Sequence, residues 1–230
     1  MWNGKLKAVT FSFDDGVQQD KRLMEIFDKY GLKCTFNFNS GRFGVSGIWQ
    51  GVDHTKFRAD EMVEVYKGHE IAGHTVSHPT LPLIKDDEKV IWEVEHDRKT
   101  LSDVMGYEVV GLAYPNGGVN CDDRVEALVR ANTGVKYART GSHTYSFDLQ
   151  DNLLRFVPTI SVGGKDCTKL FELGEEFIAL KPDSPKLFYI YGHSYSFDVS
   201  DTWDKFEEFC KMISGHEDIF YGTNREVFGI

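Results

Sequence analysis

The chain has 230 residues, of which 41% are hydrophobic, 13% aromatic and 27% charged. That length suits one domain over residues 1–230, with a core that needs no disulfide or structural metal, and the composition excludes disorder, collagen and coiled coil. With 26 Lys and Arg against 36 Asp and Glu the net charge is −10, which argues against nucleic acid and an anionic membrane surface as partners.

Taken in chain order, short β-rich runs alternate with longer amphipathic stretches. Lys7–Phe13 (KAVTFSF) reads as a buried strand, and Gln19–Tyr30 as a helix with Leu23, Ile26, Phe27 and Tyr30 at helical spacing. Lys33–Asn39 alternates like a strand. The glycine-rich Ser40–Phe57 reads as a long loop, of a length that is often functional. Arg58–Tyr66 is a short helix, Glu70–Ala72 a strand, Asp86–Met105 the longest helix, Val109–Ala113 a strand and Asp122–Ala131 a helix. Strands follow at Lys136–Arg139, Arg155–Val157, Lys186–Tyr191 and Asp218–Tyr221, with a helix at Trp203–Ile213 before the last. This repetition predicts an α/β fold: a TIM-like, distorted (β/α) barrel of about seven to eight parallel strands. A doubly wound open sheet is the alternative, but no GxGxxG follows the first strand.

The start, MWNGKLKAVTFSF, has none of the three regions of a signal peptide. No apolar run approaches the ~18 residues of a membrane helix. Cys34, Cys121, Cys167 and Cys210 are scattered, with no CxxC spacing, and read as reduced thiols. The expected location is the cytoplasm.

Three clusters fall just after predicted strands. Asp14-Asp15-Gly16 crowds two carboxylates, which a cation or a proton must relieve. Alone it is also a common turn signal. His74 and His78, at i and i+4 in HTVSH, converge on one metal if the segment makes a helical turn. A lone HxxxH pair is weak evidence. His193 ends the most hydrophobic strand, where a single histidine is most often merely packed. In a parallel barrel the strand C-termini share one face and carry the active site, so the three clusters converge there.

Thr10-Phe11-Ser12-Phe13-Asp14-Asp15-Gly16 resembles the first motif of the polysaccharide deacetylase family, carbohydrate esterase family 4, of the chitooligosaccharide-deacetylase-like kind. His74-Thr75-Val76-Ser77-His78-Pro79 is similar to its second motif, Ala113-Tyr114-Pro115-Asn116-Gly117 sits where the third would fall, and Ile190-Tyr191-Gly192-His193 resembles the fifth. The resemblance runs in family order from Thr10 to His193 and lacks a fourth motif. It implies one divalent metal on Asp15, His74 and His78, zinc first, with cobalt, nickel or manganese also accepted. It implies hydrolysis of an N- or O-acetyl group on a sugar or oligosaccharide by metal-activated water. Asp14 would be the base, His193 the acid, and Tyr114, Pro115, Asn116 and Tyr191 would bind substrate, the Asn116 N–H facing the oxyanion. The same ligand set serves non-haem iron oxygenases, but the carboxylate-first order and the β/α alternation rank that reading well below hydrolysis.

The departures are specific. Ala113 replaces the arginine that orients the base in the family. Arg139, after the next predicted strand, stands where it either reaches in from a neighbouring strand end or pairs on the surface. Asp198 is a stand-in for the fourth-motif acid, or a capping or surface residue. Trp49, Tyr195 and Trp203 are sugar platforms or packing residues, and His54 and His143 are candidates for the mouth of the site. Two further functions stay open: metal-dependent hydrolysis of another small amide or cyclic imide, and a catalytically silent sugar-binding protein on the same scaffold.

Overall fold

Alternation in the first strand sets the layering of the molecule. Along β1 (Lys7–Asp14), Val9, Phe11 and Phe13 enter the main apolar core, while Thr10, Ser12 and Asp14 face the other way and are equally buried. The next strand, β2 (Cys34–Phe38), repeats the pattern: Cys34, Phe36 and Phe38 pack outward under the helices, and Thr35 and Asn37 turn inward. A sheet with one apolar face and one buried polar face curls so that the polar face lines an interior.

In the computed structural model, which describes residues 2–230, β1 and β2 are separated by α1 (Asp20–Tyr30). After β2 come a small hairpin, β3 (Ile48–Trp49) and β4 (Val52–Asp53), then α2 (Met62–Val65), β5 (Glu70–Gly73), α3 (Asp87–Met105), β6 (Gly111–Ala113), α4 (Asp123–Asn132) and β7 (Tyr137–Arg139). The remainder is β8 (Ile160–Val162), α5 (Thr168–Ala179), β9 (Lys186–Gly192), α6 (Tyr195–Ser200), α7 (Trp203–Ile213), β10 (Ile219–Tyr221) and α8 (Asn224–Phe228). The large sheet is parallel throughout, in the order β7-β6-β5-β2-β1-β9-β8. β10 pairs with β1 at Lys7–Val9, below the stretch that β2 occupies. A parallel bridge from Arg139 to Phe156 carries the curl past β7 toward the segment that leads into β8, and the fold is the distorted (β/α) barrel that the sequence predicts.

Helix ends follow local chemistry. Asp86 caps α3 by accepting from the Glu88 and Lys89 N–H groups, and Gly106 ends it in the left-handed conformation. Asp122 caps α4 in the same way. Leu23, Ile26 and Phe27 of α1 and Phe206, Phe209, Cys210 and Ile213 of α7 cover the outer face of β1 and β2. The helix α5 was not evident from periodicity. Its Gly174 sits where an added methyl would lie 2.5 Å from Met212 and 2.8 Å from Phe209, so glycine permits the close α5–α7 contact.

Two expectations are corrected. Arg155–Val157 is not a strand: Leu153–Arg155 forms a 3-10 turn capped by the Asn152 side chain, and only Phe156 bridges to a strand. Pro158, with no N–H, cannot extend a ladder there, and the paired strand begins at Ile160. The long loop Ser40–Phe57 is also more ordered than expected, with a 3-10 turn at Ser40–Arg42 and the β3–β4 hairpin. All four cysteines are free thiols. No helix among the described residues is long and apolar enough to cross a membrane.

Candidate functional site

The C-terminal ends of β1, β5, β6, β7 and β9 open on one cavity of about 510 Å³, lined among others by Asp14, Asp15, His54, His74, His78, Asn116, Arg139, Tyr191 and His193. The backbone is strained where it delivers these groups. Asp15, Thr75, His78 and Asn116 all have φ between +64° and +81°, a region that non-glycine residues rarely enter and that clusters at functional sites.

Asp14 lies in the plane of β1, held from two sides. Its Oδ1 accepts from Arg139 and, at 2.8 Å, from Asn37 Nδ2. Its Oδ2 makes no such bond and faces His193 Nε2 at 3.8 Å and His74 Nε2 at 4.0 Å. Burial alone raises the carboxyl's pKa; the charge of Arg139, then His74 and His193, outweigh it and hold Asp14 below the ordinary carboxylate range. Arg139 is 1% exposed, donates to Ser12 Oγ at 3.0 Å, and lies against the Tyr191 ring at 4.6 Å. It therefore reaches in to Asp14 rather than pairing on the surface.

Asp15 turns away from Asp14 at the strand end. Lys56, 5% exposed, donates to its Oδ1 at 3.0 Å and to its carbonyl at 2.9 Å, and His54 Nε2 stands 3.5 Å from its Oδ2. Burial opposes ionisation of Asp15, yet the His54 contact and the Lys56 charge bring its pKa well below the usual value. Gly16, at φ +60°, completes the turn; a Cβ there would lie 2.1 Å from the Phe38 ring. Gly16→Ala adds both a left-handed alanine and an overpacked ring, and is expected to cost about 2 kcal/mol or more in urea unfolding.

His74 and His78 do converge, but not through a helical turn. The segment is irregular, with left-handed residues at Thr75 and His78. Buried acids of α3 hold it: Asp97 accepts from the His74 N–H at 2.9 Å, and Glu93 accepts from Ser77 N at 2.9 Å and Ser77 Oγ at 2.7 Å. Asn39 donates to the His74 and Thr75 carbonyls. Burial pushes Asp97 up to about 7. The His74 Nδ1–H donates to the Ala113 carbonyl at 2.7 Å, which fixes the tautomer and turns Nε2 inward. Burial lowers His74 to about 4, so its imidazole is neutral at physiological pH.

One orphan tests what this arrangement holds. His74 Nε2 is buried with no hydrogen-bond partner, although such atoms are nearly always satisfied. One ligand atom each from Asp15, His74 and His78 lie within 4.8 Å of one another. A divalent cation would satisfy all three, and two imidazoles with one carboxylate would leave coordination positions open. The donor set fits a metal.

Tyr114, Asn116 and Tyr191 line the cavity; Pro115 is buried and is not among the lining residues. The Tyr114 hydroxyl is committed to the Leu154 carbonyl and the Tyr191 hydroxyl to the Gly141 carbonyl. The Asn116 side chain bridges to Thr80 Oγ1 at 3.0 Å, while its N–H donates to no backbone carbonyl among the described residues. Trp49, Tyr195 and His54 reach the cavity; His143 does not. Trp203 is a core residue, 4.9 Å from the Phe197 ring, with its N–H on Asp198. Asp198 is exposed, also accepts from Gln19, and makes no contact with His193. Asn37, Lys56, Glu93 and Asp97 carry no local motif. The best signal for any of them was the inward register of Asn37 with Thr35.

A family model described as polysaccharide deacetylase matches residues 3–138, more than half of the chain. No curated protein matches in sequence. Among solved structures, the Streptococcus pyogenes deacetylase PplD is 19% identical with a TM-score of 0.55, over 70% of this chain and 68% of its own. The family 4 carbohydrate esterase from Streptomyces lividans is 11% identical with a TM-score of 0.58, over 95% and 92%. Puue allantoinase is 12% identical with a TM-score of 0.71, over 98% and 90%. At these identities the likeness is one of fold.

Proposed function

The chain belongs to the polysaccharide deacetylase family, and on that premise we propose that it is a metal-dependent hydrolase that removes an acetyl group from a carbohydrate. The observation that carries this reading is the free Oδ2 of an ionised Asp14, set beside the orphaned His74 Nε2 and opposite His193.

Asp15, His74 and His78 would hold a divalent cation, zinc first, which supplies Lewis acidity and an acidified water when bound. The chain's own groups do the rest. Arg139 and Asn37 fix one oxygen of Asp14, so the other is aimed and its carboxylate stays ionised. That oxygen takes the proton of the attacking water. The Asn116 N–H meets the negative charge that develops on the acyl oxygen, a donor worth about 3 kcal/mol in the transition state. His193, on the cavity wall, gives a proton to the departing nitrogen or oxygen, because a bare amide anion does not leave. Acetate and a free amine or hydroxyl result. Arg139 here serves the purpose that the family's third-motif arginine serves, from a different strand.

Acetate release from a panel of acetylated sugars, with and without chelator, tests the reading. Release that chelator abolishes supports it; no release from any sugar by metal-loaded protein rejects it. His78→Ala is expected to lower the metal content of the purified protein from about one equivalent to a small fraction, by elemental analysis. Unchanged content would remove His78 from the ligand set.

A second reading, hydrolysis of another small amide or cyclic imide, is favoured by the likeness to Puue allantoinase over 98% of this chain and allowed by the altered third and fifth motifs around Asn116 and Tyr191. Ring opening without acetate release would select it.

A further inference from the structure

Charge in and around the cavity runs against charge on the whole chain. The protein carries a net −10, yet the cavity lining matches its two carboxylates, Asp14 and Asp15, with two fixed cations, Arg42 and Arg139, and Lys56, outside the lining, pairs with Asp15 as well. Arg139 is taken by Asp14 and Lys56 by Asp15. Arg42 is left over. Among the described residues it forms no ion pair, and its one side-chain hydrogen bond goes from Nη2 to the Ser77 carbonyl at 3.1 Å. A cation on Asp15, His74 and His78 would add positive charge beside it.

Arg42 is also held in place, as a residue built to meet a ligand must be. Its 3-10 turn is clipped to the loop that carries the histidines. Ser40 N donates to Asp97 Oδ1 at 2.7 Å, Gly41 N to the Val76 carbonyl at 3.1 Å, and Arg42 N to the Asn39 carbonyl at 3.0 Å. Gly41 has no room for a side chain: a Cβ would lie 2.6 Å from the Val76 carbonyl oxygen. The backbone is fixed, the residue is half-buried at the cavity wall, and its guanidinium, whose bond to Ser77 is exposed, keeps most of its donors free.

We propose that Arg42 is a specificity residue: the acylated substrate carries its own anionic oxygen group, a carboxylate or a phosphate, which Arg42 binds. This rests on the reading of the cavity as the site of hydrolysis and narrows its substrate class from neutral glycans to acidic ones. A guanidinium presents paired donors that match either anion, and a charge-assisted bond in a partly dry cavity discriminates strongly against the neutral analogue.

The test is calorimetric binding of N-acetylglucosamine, N-acetylglucosamine 6-phosphate and N-acetylmuramic acid to the wild type, Arg42→Gln and Arg42→Lys, with acetate release followed in parallel. Gln removes the charge and leaves the turn's bonds through Ser40, Gly41 and Arg42 N untouched; thermal midpoints check this. At least one acidic sugar is expected to bind about tenfold or more tightly than the neutral sugar, more weakly as salt rises. The advantage should vanish in Arg42→Gln and survive in part in Arg42→Lys. The arm that responds distinguishes phosphate from carboxylate. Equal affinity for neutral and acidic sugars, no binding of either acidic sugar, or a preference that outlasts Arg42→Gln each overturns the proposal. Preference without acetate release from any probe would keep Arg42 as an anion reader and reject deacetylation of these sugars. Acetate release without preference would reject Arg42 alone.

Discussion

Asp14→Asn is expected to keep its metal and to lose about 10²- to 10⁴-fold in acetate release, the range of a general base. The two carboxylates are adjacent in sequence but separate in their bonding. Asp15 belongs to Lys56, His54 and the imidazole pair, whereas Asp14 belongs to Arg139 and Asn37. An amide at residue 14 preserves shape and removes the basic oxygen without touching the metal ligands. It also leaves the Arg139 charge without its partner, so the variant will unfold more readily and must be assayed well below its transition. Elemental analysis beside single-turnover kinetics makes the distinction: loss of metal would give Asp14 a ligand's role, and full turnover with metal retained would give the base's role to another group.

The legible parts of this site were those written as contiguous motifs. Asp14-Asp15-Gly16 and His74-x-x-x-His78 announce themselves because a turn must follow a strand end, and because the ligands come from tight turns with few side chains in between. The strands β1 and β9 and the helix α7 were legible for the equivalent reason, a local period. The parts that orient those ligands were not. Glu93 and Asp97 sit in α3 among Val90, Val94 and Leu101, where a helical reading sees only interruptions of an apolar stripe; in the structure they grip the backbone of residues 74–77. Lys56 gives no sign until the loop that carries it folds back on Asp15. Even the convergence of the histidines comes by a device that i, i+4 spacing does not name: not the helical turn that would bring them together, but two left-handed residues. Function strains backbone in ways that a period cannot encode.

Arg139 is the instructive middle case, since sequence order allowed it to reach the base but did not require it. Arg139→Met should test the pair by its pH dependence. Breaking a buried pair by removing one partner typically costs about 3–5 kcal/mol, and here the cost has a predictable sign. In the wild type the Asp14 pKa is lowered on folding, so its contribution to stability is present above the unfolded value of 3.8 and is lost as pH falls through the folded one. Without Arg139 the largest charge that opposes burial is gone, and the folded pKa of Asp14 is expected to rise. The ionised carboxylate then contributes less stability than in the wild type at every pH where it is charged. The gap between variant and wild type should therefore be widest near pH 7 and close as pH falls toward 4, in urea unfolding of metal-free protein. A gap that stays constant with pH would mean that Arg139 matters for its packing on Tyr191, 4.6 Å away, and not for its charge. In that event the relocated arginine would no longer account for how the base is kept ionised.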